Sequence, residues 1–254
     1  MSRKDGMPLM ISIVIPAYNE EKRIKGSSSE VFAFMSDSGM EYEIIVVDDG
    51  SSDGTSRIVE SMVTDFPKVR LVRYEKNRGK GHALRTGVLV TKGDLILVMD
   101  ADLSTPIEEL GKLTPYLAGG EYDIAIGSRA LALSDIIREQ PWWRQSMGKM
   151  FNRIVKVLVI GDFSDTQCGF KLFTGDVARN LFLEAKIDRF AYDVEILARA
   201  KRKGYGIKEV PIRWINSPES RVDPLKDSLQ MLVDLVRIRF AVGKVTGKKA
   251  RQGF

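Results

Sequence analysis

Short apolar runs bounded by turn residues recur through the first half of the chain, and a stretch with helical spacing follows almost every one. Residues 10–16 predict a first strand, closed by a proline that cannot donate to a ladder. Ala17-Tyr-Asn-Glu-Glu21 follows as a polar loop that leads into a helix. Residues 42–48 predict a second strand, which ends in Asp48-Asp49-Gly-Ser-Ser-Asp53-Gly-Thr55, a cluster of turn and cap residues. Ile58, Val59, Met62 and Val63 then repeat at helical spacing. Residues 69–74 predict a third strand, and Asn77-Arg-Gly-Lys-Gly81 opens a helix through Leu84, Val88 and Leu89. Residues 95–99 and 123–127 predict strands four and five. This alternation implies an α/β chain with a mainly parallel, Rossmann-like sheet covered by helices on both faces. Ligands of such sheets bind beyond the carboxyl ends of the strands. Polar clusters fall there after four strands: Asn19 and Glu20, Asp48 and Asp49, Asp100 and Asp102, Ser128 and Arg129. Any one of them alone reads as a solvated loop, but four on one predicted edge point to a site.

The second half has a different pattern. From residue 142 to 159, Met147, Met150, Phe151, Ile154, Val157 and Leu158 follow three/four spacing, behind Trp142 and Trp143 and interspersed with Arg144, Lys149, Arg153 and Lys156. That composition suits a helix in a membrane interface, or a core helix whose lysines snorkel to solvent. Residues 165–173 predict an irregular strand with Gly169 at a close approach. Residues 190–199 begin a helix whose first-turn acids, Asp193 and Glu195, suit its dipole. A short strand over residues 206–214 and a turn over 216–221 precede a final amphipathic helix marked by Leu225, Leu229, Leu232, Val233 and Val236. The expected organisation is an amino-terminal tail (1–8), one α/β domain (9–222), and a carboxyl-terminal amphipathic helix with a basic tail (223–254).

Composition narrows the classes. A chain of 254 residues, 44% hydrophobic and 29% charged, can bury one substantial core. No run approaches the ~18 apolar residues of a membrane span, Lys156 interrupts the best candidate, and no signal-peptide stretch precedes Met7. A soluble or peripheral protein is expected. One cysteine, Cys168, excludes an internal disulfide and a cysteine-based zinc cluster, and reads as an inert buried thiol. His82, after a glycine at a helix start, reads as a packing or capping residue. The net charge of +5 suits an anionic partner: a nucleotide, an acidic lipid or nucleic acid.

The sharpest chemical candidate is Asp94-Leu-Ile-Leu-Val-Met-Asp100-Ala-Asp102-Leu-Ser-Thr-Pro106. If extended geometry persists past Met99, Asp100 and Asp102 point to one side. Two carboxylates so close favour a hard divalent cation with oxygen ligands. The bland alternative is a solvated turn.

Taken together, Ile15-Pro-Ala-Tyr-Asn-Glu20, Val46-Val-Asp-Asp-Gly-Ser-Ser-Asp-Gly-Thr55, Asn77-Arg-Gly-Lys-Gly81, Asp100-Ala-Asp102 and Gly127-Ser-Arg129 resemble, in order and spacing, the motifs of family 2 glycosyltransferases with the GT-A fold. The resemblance covers residues 10 to 222. Residues 165–171 and 189–195 are similar to its polyprenyl-phosphate branch, above all to dolichyl-phosphate β-glucosyltransferases and next to dolichyl-phosphate mannose synthases. It implies an inverting hexosyltransferase that moves glucose from UDP-glucose to a polyprenyl (dolichyl) phosphate, working peripherally at the cytoplasmic face of a membrane. It also implies Mg²⁺ or Mn²⁺, with Asp102 as a direct ligand and Asp100 bridging metal and nucleotide-sugar. Pro16, Tyr18, Glu20, Asp49, Lys80 and Ala101 would line the nucleotide-sugar, Glu20 and Asp49 near base and ribose. Where mannose synthases carry a metal-binding glutamine this chain has Ser104, which leaves a third position to water. Arg129 is the first candidate for the acceptor phosphate, since guanidinium forks suit phosphate oxygens, and Arg221 the second. Asp165 would orient the acceptor or the metal site, or cap a turn. A lipid monophosphate is largely dianionic at neutral pH and needs no strong base.

Two other readings stand beside this one. GDP-mannose could replace UDP-glucose as donor. A non-catalytic basic module for acidic lipid or nucleic acid would explain the pI of 9.2, but not four acid-bearing loops, because carboxylates repel phosphate unless a metal intervenes. Nucleic acid is therefore not an expected partner.

Overall fold

The first half folds into β1 (Met10–Ala17), α1 (Ile24–Asp37), β2 (Glu41–Asp49), α2 (Thr55–Asp65), β3 (Val69–Tyr74), α3 (Lys80–Leu89) and β4 (Leu95–Val98). The second half adds α4 (Leu110–Ala118), β5 (Ile124–Ser128), β6 (Asp135–Arg138), α5 (Trp142–Leu158), β7 (Lys171–Thr174), α6 (Gly175–Glu184), α7 (Tyr192–Arg202), β8 (Ile207–Pro211), β9 (Arg213–Ile215) and α8 (Lys226–Val242). This computed structural model describes residues 9–138, 142–217 and 226–243. Seven strands form one sheet in the order β3-β2-β1-β4-β7-β5-β8. All its neighbours run parallel except β7, which is antiparallel to both β4 and β5. The expected fold, a mainly parallel sheet between helical layers, is the one observed.

Period-two alternation explains why the apolar runs are continuous. Val14, Ile45, Val47, Ile96, Val98 and Ile126 face one core with residues of α3, α6, α7 and α8. Ile13, Ile15, Ile44, Val46, Leu97 and Ala125 face the other with residues of α1, α2 and α4. A strand covered on both sides has no polar face to show.

Several expectations are corrected. The fourth strand ends at Val98, and residues 101–102 form a turn followed by Leu103 at φ 50°, so the backbone is not extended from Asp100 to Asp102. Only Lys171–Thr174 of the irregular stretch is strand; residues 165–170 are loop. The strand expected over 206–214 is two, β8 in the main sheet and β9 paired with β6 in a second, two-stranded sheet. The short α4, broken in composition by Pro115, and α6 were not anticipated.

Helix α5 is a core helix on one face, where Phe151 and Val155 are buried. Met150 and Val157, expected on the same apolar face, are 59% and 66% exposed beside exposed Arg153 and Lys156. Helix α8 carries two apolar stripes. Met231, Leu235, Ile238 and Val242 enter the core, while Leu229, Leu232, Val233 and Val236, the stripe read from sequence, face outward with Phe240 at 86% exposure. Periodicity finds a stripe but cannot say which stripe meets the core. Helix α8 shares the core on this face of the sheet and packs against α5 and α7. Leu225 and the basic tail lie outside the described residues.

Candidate active site

The carboxyl ends of β1, β2, β4 and β5 and the start of β7 meet at one edge of the sheet. The first two loops there are laced together. Asn19, at φ 55°, accepts from Ser52 N–H at 2.9 Å and donates its own N–H to Ser51 Oγ at 2.9 Å, and Glu20 N–H reaches Thr55 Oγ1 at 2.8 Å. Glu20, expected near the base or ribose, is buried with its carboxylate gripped by Arg23 through Nε at 2.7 Å and Nη2 at 2.8 Å. Asp49 is buried too, and accepts from Asn77 Nδ2 at 2.9 Å and from the N–H groups of Arg78 and Gly79 at 2.8 Å each. It therefore shapes the loop before α3. Gly79, at φ 104°, and Gly81 permit that loop to lie on residues 187–189, where a Cβ would come within 2.6 Å of Asp188 O and 2.4 Å of Ile187 O. Glu195 pins the far side of this contact by accepting Ile187 N–H at 2.7 Å. Its first-turn position thus has a structural partner as well as a dipole. Tyr18 is exposed, Pro16 half-buried and Ala101 buried along the same edge.

Asp102 Oδ1 accepts Ser104 N–H at 3.0 Å, so Ser104 closes the turn through its backbone. Asp100 Oδ1 lies 2.5 Å from Lys80 Nζ at the start of α3. Its other oxygen abuts Gly169, where a Cβ would fall 2.1 Å from Oδ2. The close approach expected of Gly169 is therefore to Asp100 itself. Burial disfavours charge on Lys80, but Asp100, Asp193 and Asp102 hold its pKa above the ordinary lysine value. Behind it, Lys171, 1% exposed, donates to both Asp193 and the Cys168 carbonyl. Burial, with Asp165 nearby, pushes the Cys168 thiol up to about 11, which leaves it inert at neutral pH. His82 packs edge-on to Tyr74 and its Nδ1 meets Arg85 Nη2 at 2.8 Å, a packing role.

Among the described residues no group of three His, Cys, Asp or Glu side chains could hold a metal ion. Asp100 and Asp102 alone offer two hard oxygen donors. That set fits Mg²⁺ or Mn²⁺, which commonly take one or two protein carboxylates and complete their shell with water and substrate phosphate.

On the other side of the edge, Arg129 is clamped by Asp165, with Nε 2.6 Å from Oδ2 and Nη2 2.9 Å from Oδ1. Its guanidinium also lies 5.5 Å from the Trp214 ring centroid. Burial opposes the Asp165 charge, but Arg129 brings its pKa down to about 2. Asp165 also accepts Gln167 N–H at 3.1 Å, which is the turn cap expected of it. Glu209 of β8 fixes this loop by accepting Asp165 N–H at 2.8 Å and Ser128 Oγ at 2.7 Å. Arg221 lies outside the described residues. Lys171, Glu209 and Trp214 were not picked out from sequence, and Asp193 was read only as an acid that suits its helix dipole. A lone lysine between Phe170 and Leu172, and an acid in an otherwise buried helix turn, were the available signals.

A model of glycosyl transferase family 2 matches residues 12–182, a span that contains every loop of this edge up to β7. The chain is a family 2 glycosyltransferase. Its curated relatives include the dolichyl-phosphate beta-glucosyltransferases of Dictyostelium discoideum, 35% identical over 91% of this chain and 74% of the relative, and of Homo sapiens, 35% identical over 94% and 78%. Solved structures share the GT-A fold with this family 2 chain. Glucosyl-3-phosphoglycerate synthase from Mycobacterium tuberculosis, in complex with Mn²⁺, UDP and phosphoglyceric acid, superposes with a TM-score of 0.70 at 19% identity, over 94% of this chain and 80% of that one. Mannosyl-3-phosphoglycerate synthase from Rubrobacter xylanophilus gives 0.68 at 21% identity, over 96% and 78%.

Proposed function

We propose that this glycosyltransferase moves glucose from UDP-glucose to a polyprenyl phosphate such as dolichyl phosphate, with inversion at the anomeric carbon. The observation that carries the reading is the two-sided edge: a carboxylate pair with Lys80 on one side, and on the other an arginine held rigid by Asp165 and Trp214. Lys80 and the carboxylate pair suit a metal-bound diphosphate, and Arg129 suits a second phosphate. Glucose and dolichyl phosphate come from the curated relatives of known activity.

In this reading Asp102 and Asp100 hold Mg²⁺ or Mn²⁺, which when bound supplies positive charge to the leaving diphosphate. Lys80 adds an ammonium to the same group. Asp49 acts on the nucleotide through the loop at 77–79, while Pro16, Tyr18, Glu20 and Ala101 border the nucleotide-sugar. Arg129 presents the acceptor phosphate, with Asp165 fixing the guanidinium plane. A phosphate oxygen forms the new bond to the anomeric carbon as the bond to the diphosphate breaks, and UDP leaves with the electron pair. The dianionic acceptor has no proton to surrender. Labelled UDP-glucose with membrane lipid should give a chloroform-soluble, acid-labile product, whereas exclusive use of GDP-mannose would overturn the choice of donor.

The lipid acceptor requires membrane contact, and no helix among the described residues is long and apolar enough to cross a bilayer. The outward faces of α5 and α8 suit peripheral contact with the cytoplasmic leaflet. They expose Met150, Val157, Leu229, Val236 and Phe240 with Arg153, Lys156 and Arg237 among them. Reversing the charge of Arg153 and Lys156 together should weaken binding to anionic vesicles by roughly tenfold. An unchanged flotation profile would leave α5 as a core helix alone.

A further inference from the structure

The place beside Asp100 already holds a cation, and it belongs to the chain. Lys80 Nζ sits 2.5 Å from Asp100 Oδ1, and Oδ2 takes the space that a Cβ on Gly169 would fill, 2.1 Å from where that atom would lie. Asp100 Oδ1 is thus already engaged by the ammonium, and a metal that takes this oxygen competes with Lys80 for it. Two other carboxylates act on Lys80, namely Asp193 and Asp102. Asp193 is buried and already neutralised by Lys171. Asp102 is the other half of the pair that the metal would use. Of these carboxylates none is left to take a displaced ammonium, and an unpaired charge on the largely buried Lys80 is costly.

We propose that Lys80 is the resident counterion of the cation site: it neutralises Asp100 in the empty enzyme and transfers to the donor diphosphate when a divalent ion takes its place. The proposal rests on the reading of Asp100 and Asp102 as metal ligands. Its consequence is a coupling between metal and nucleotide. The metal alone competes with Lys80 and takes its anion away, whereas metal and diphosphate together give the ammonium a new anion. By linkage each ligand then raises the affinity for the other by the same factor.

The test is Mn²⁺ binding, followed by the electron paramagnetic resonance signal of free Mn²⁺, with and without UDP and after correction for Mn²⁺ bound to UDP in solution. Lys80→Gln should bind Mn²⁺ alone more tightly than the unmodified enzyme by about fivefold or more, and the enhancement given by UDP should shrink by a similar factor. Lys80→Arg, which keeps the charge, should retain weak, UDP-dependent binding. Equal or weaker Mn²⁺ affinity in Lys80→Gln, with the unmodified enzyme binding normally, would overturn the counterion role alone. Absence of Mn²⁺ binding by any of the three proteins, even with UDP, would overturn the metal assignment and this proposal with it.

Discussion

Asp102→Asn is expected to reduce glucosyl transfer by about a hundred- to a thousandfold, the usual cost of removing one electrostatic contact to a developing charge. Asn keeps an oxygen that can accept Ser104 N–H, so the turn at residues 101–104 survives, and only the negative charge goes. Asp102 is only partly buried, so the substitution strands no group in the core. Thermal midpoint and vesicle flotation should match the unmodified protein, which separates a chemical loss from a folding one. Turnover at the unmodified level would remove Asp102 from the metal site.

Gly169→Ala should have an effect of similar size through space rather than charge. The backbone of Gly169 is not in the left-handed region, so alanine meets no conformational strain there; the obstacle is Asp100, whose Cγ would lie 2.6 Å from the new Cβ. The loop cannot yield readily. Gly127 N–H bonds to Phe170 O at 2.9 Å, the Cys168 carbonyl is held by Lys171, and Asp165 is clamped on Arg129. Asp100 is the member that moves, and its pairing with Lys80 moves with it. A misplacement of about 1 Å at a reacting centre costs roughly a hundredfold in rate, which should appear in kcat. Gly111→Ala, where a Cβ meets nothing within 4 Å, is the matched control and should be silent. Full kcat in Gly169→Ala would mean that Asp100 has slack the packing does not suggest.

The first half of the fold was legible because β1, β2 and β4 lie between two helical layers, and such strands read as plain apolar runs. The polar ends of those runs located the edge where Asp100, Lys80 and Arg129 gather. Direction and partnership were harder to see. Nothing in Lys171-Leu-Phe-Thr174 marks a strand that runs against its neighbours. Lys171 and Asp193 meet only after the chain has turned through α6. The extended reading of Asp100-Ala-Asp102 failed because ladder partners stop at Val98, and a carboxylate pair in sequence carries no information on where its strand loses them. In α8, two apolar stripes compete, and the choice between them belongs to α5 and α7.

The reversed strand β7 is what brings the Arg129 side to the edge at all. After Ser128 the chain leaves the sheet, and it rejoins between β4 and β5 at Lys171, next to where it left. The connection between, the Arg129 clamp and α5 included, starts and ends at adjacent points of the ladder, and it is tied to the rest of the fold by Phe151 and Val155 in the core, by β6 on β9 and by Glu209 on the Asp165 loop. Lengthening such a connection costs little, about 0.6 kcal/mol for each doubling. In the proposed reading the donor chemistry stays on the parallel strands β1, β2 and β4, and the acceptor is met by the segment between β5 and β7. Exchanging residues 129–168 for another family member's segment, with Gly169 kept against Asp100, should change what receives the sugar more than what supplies it.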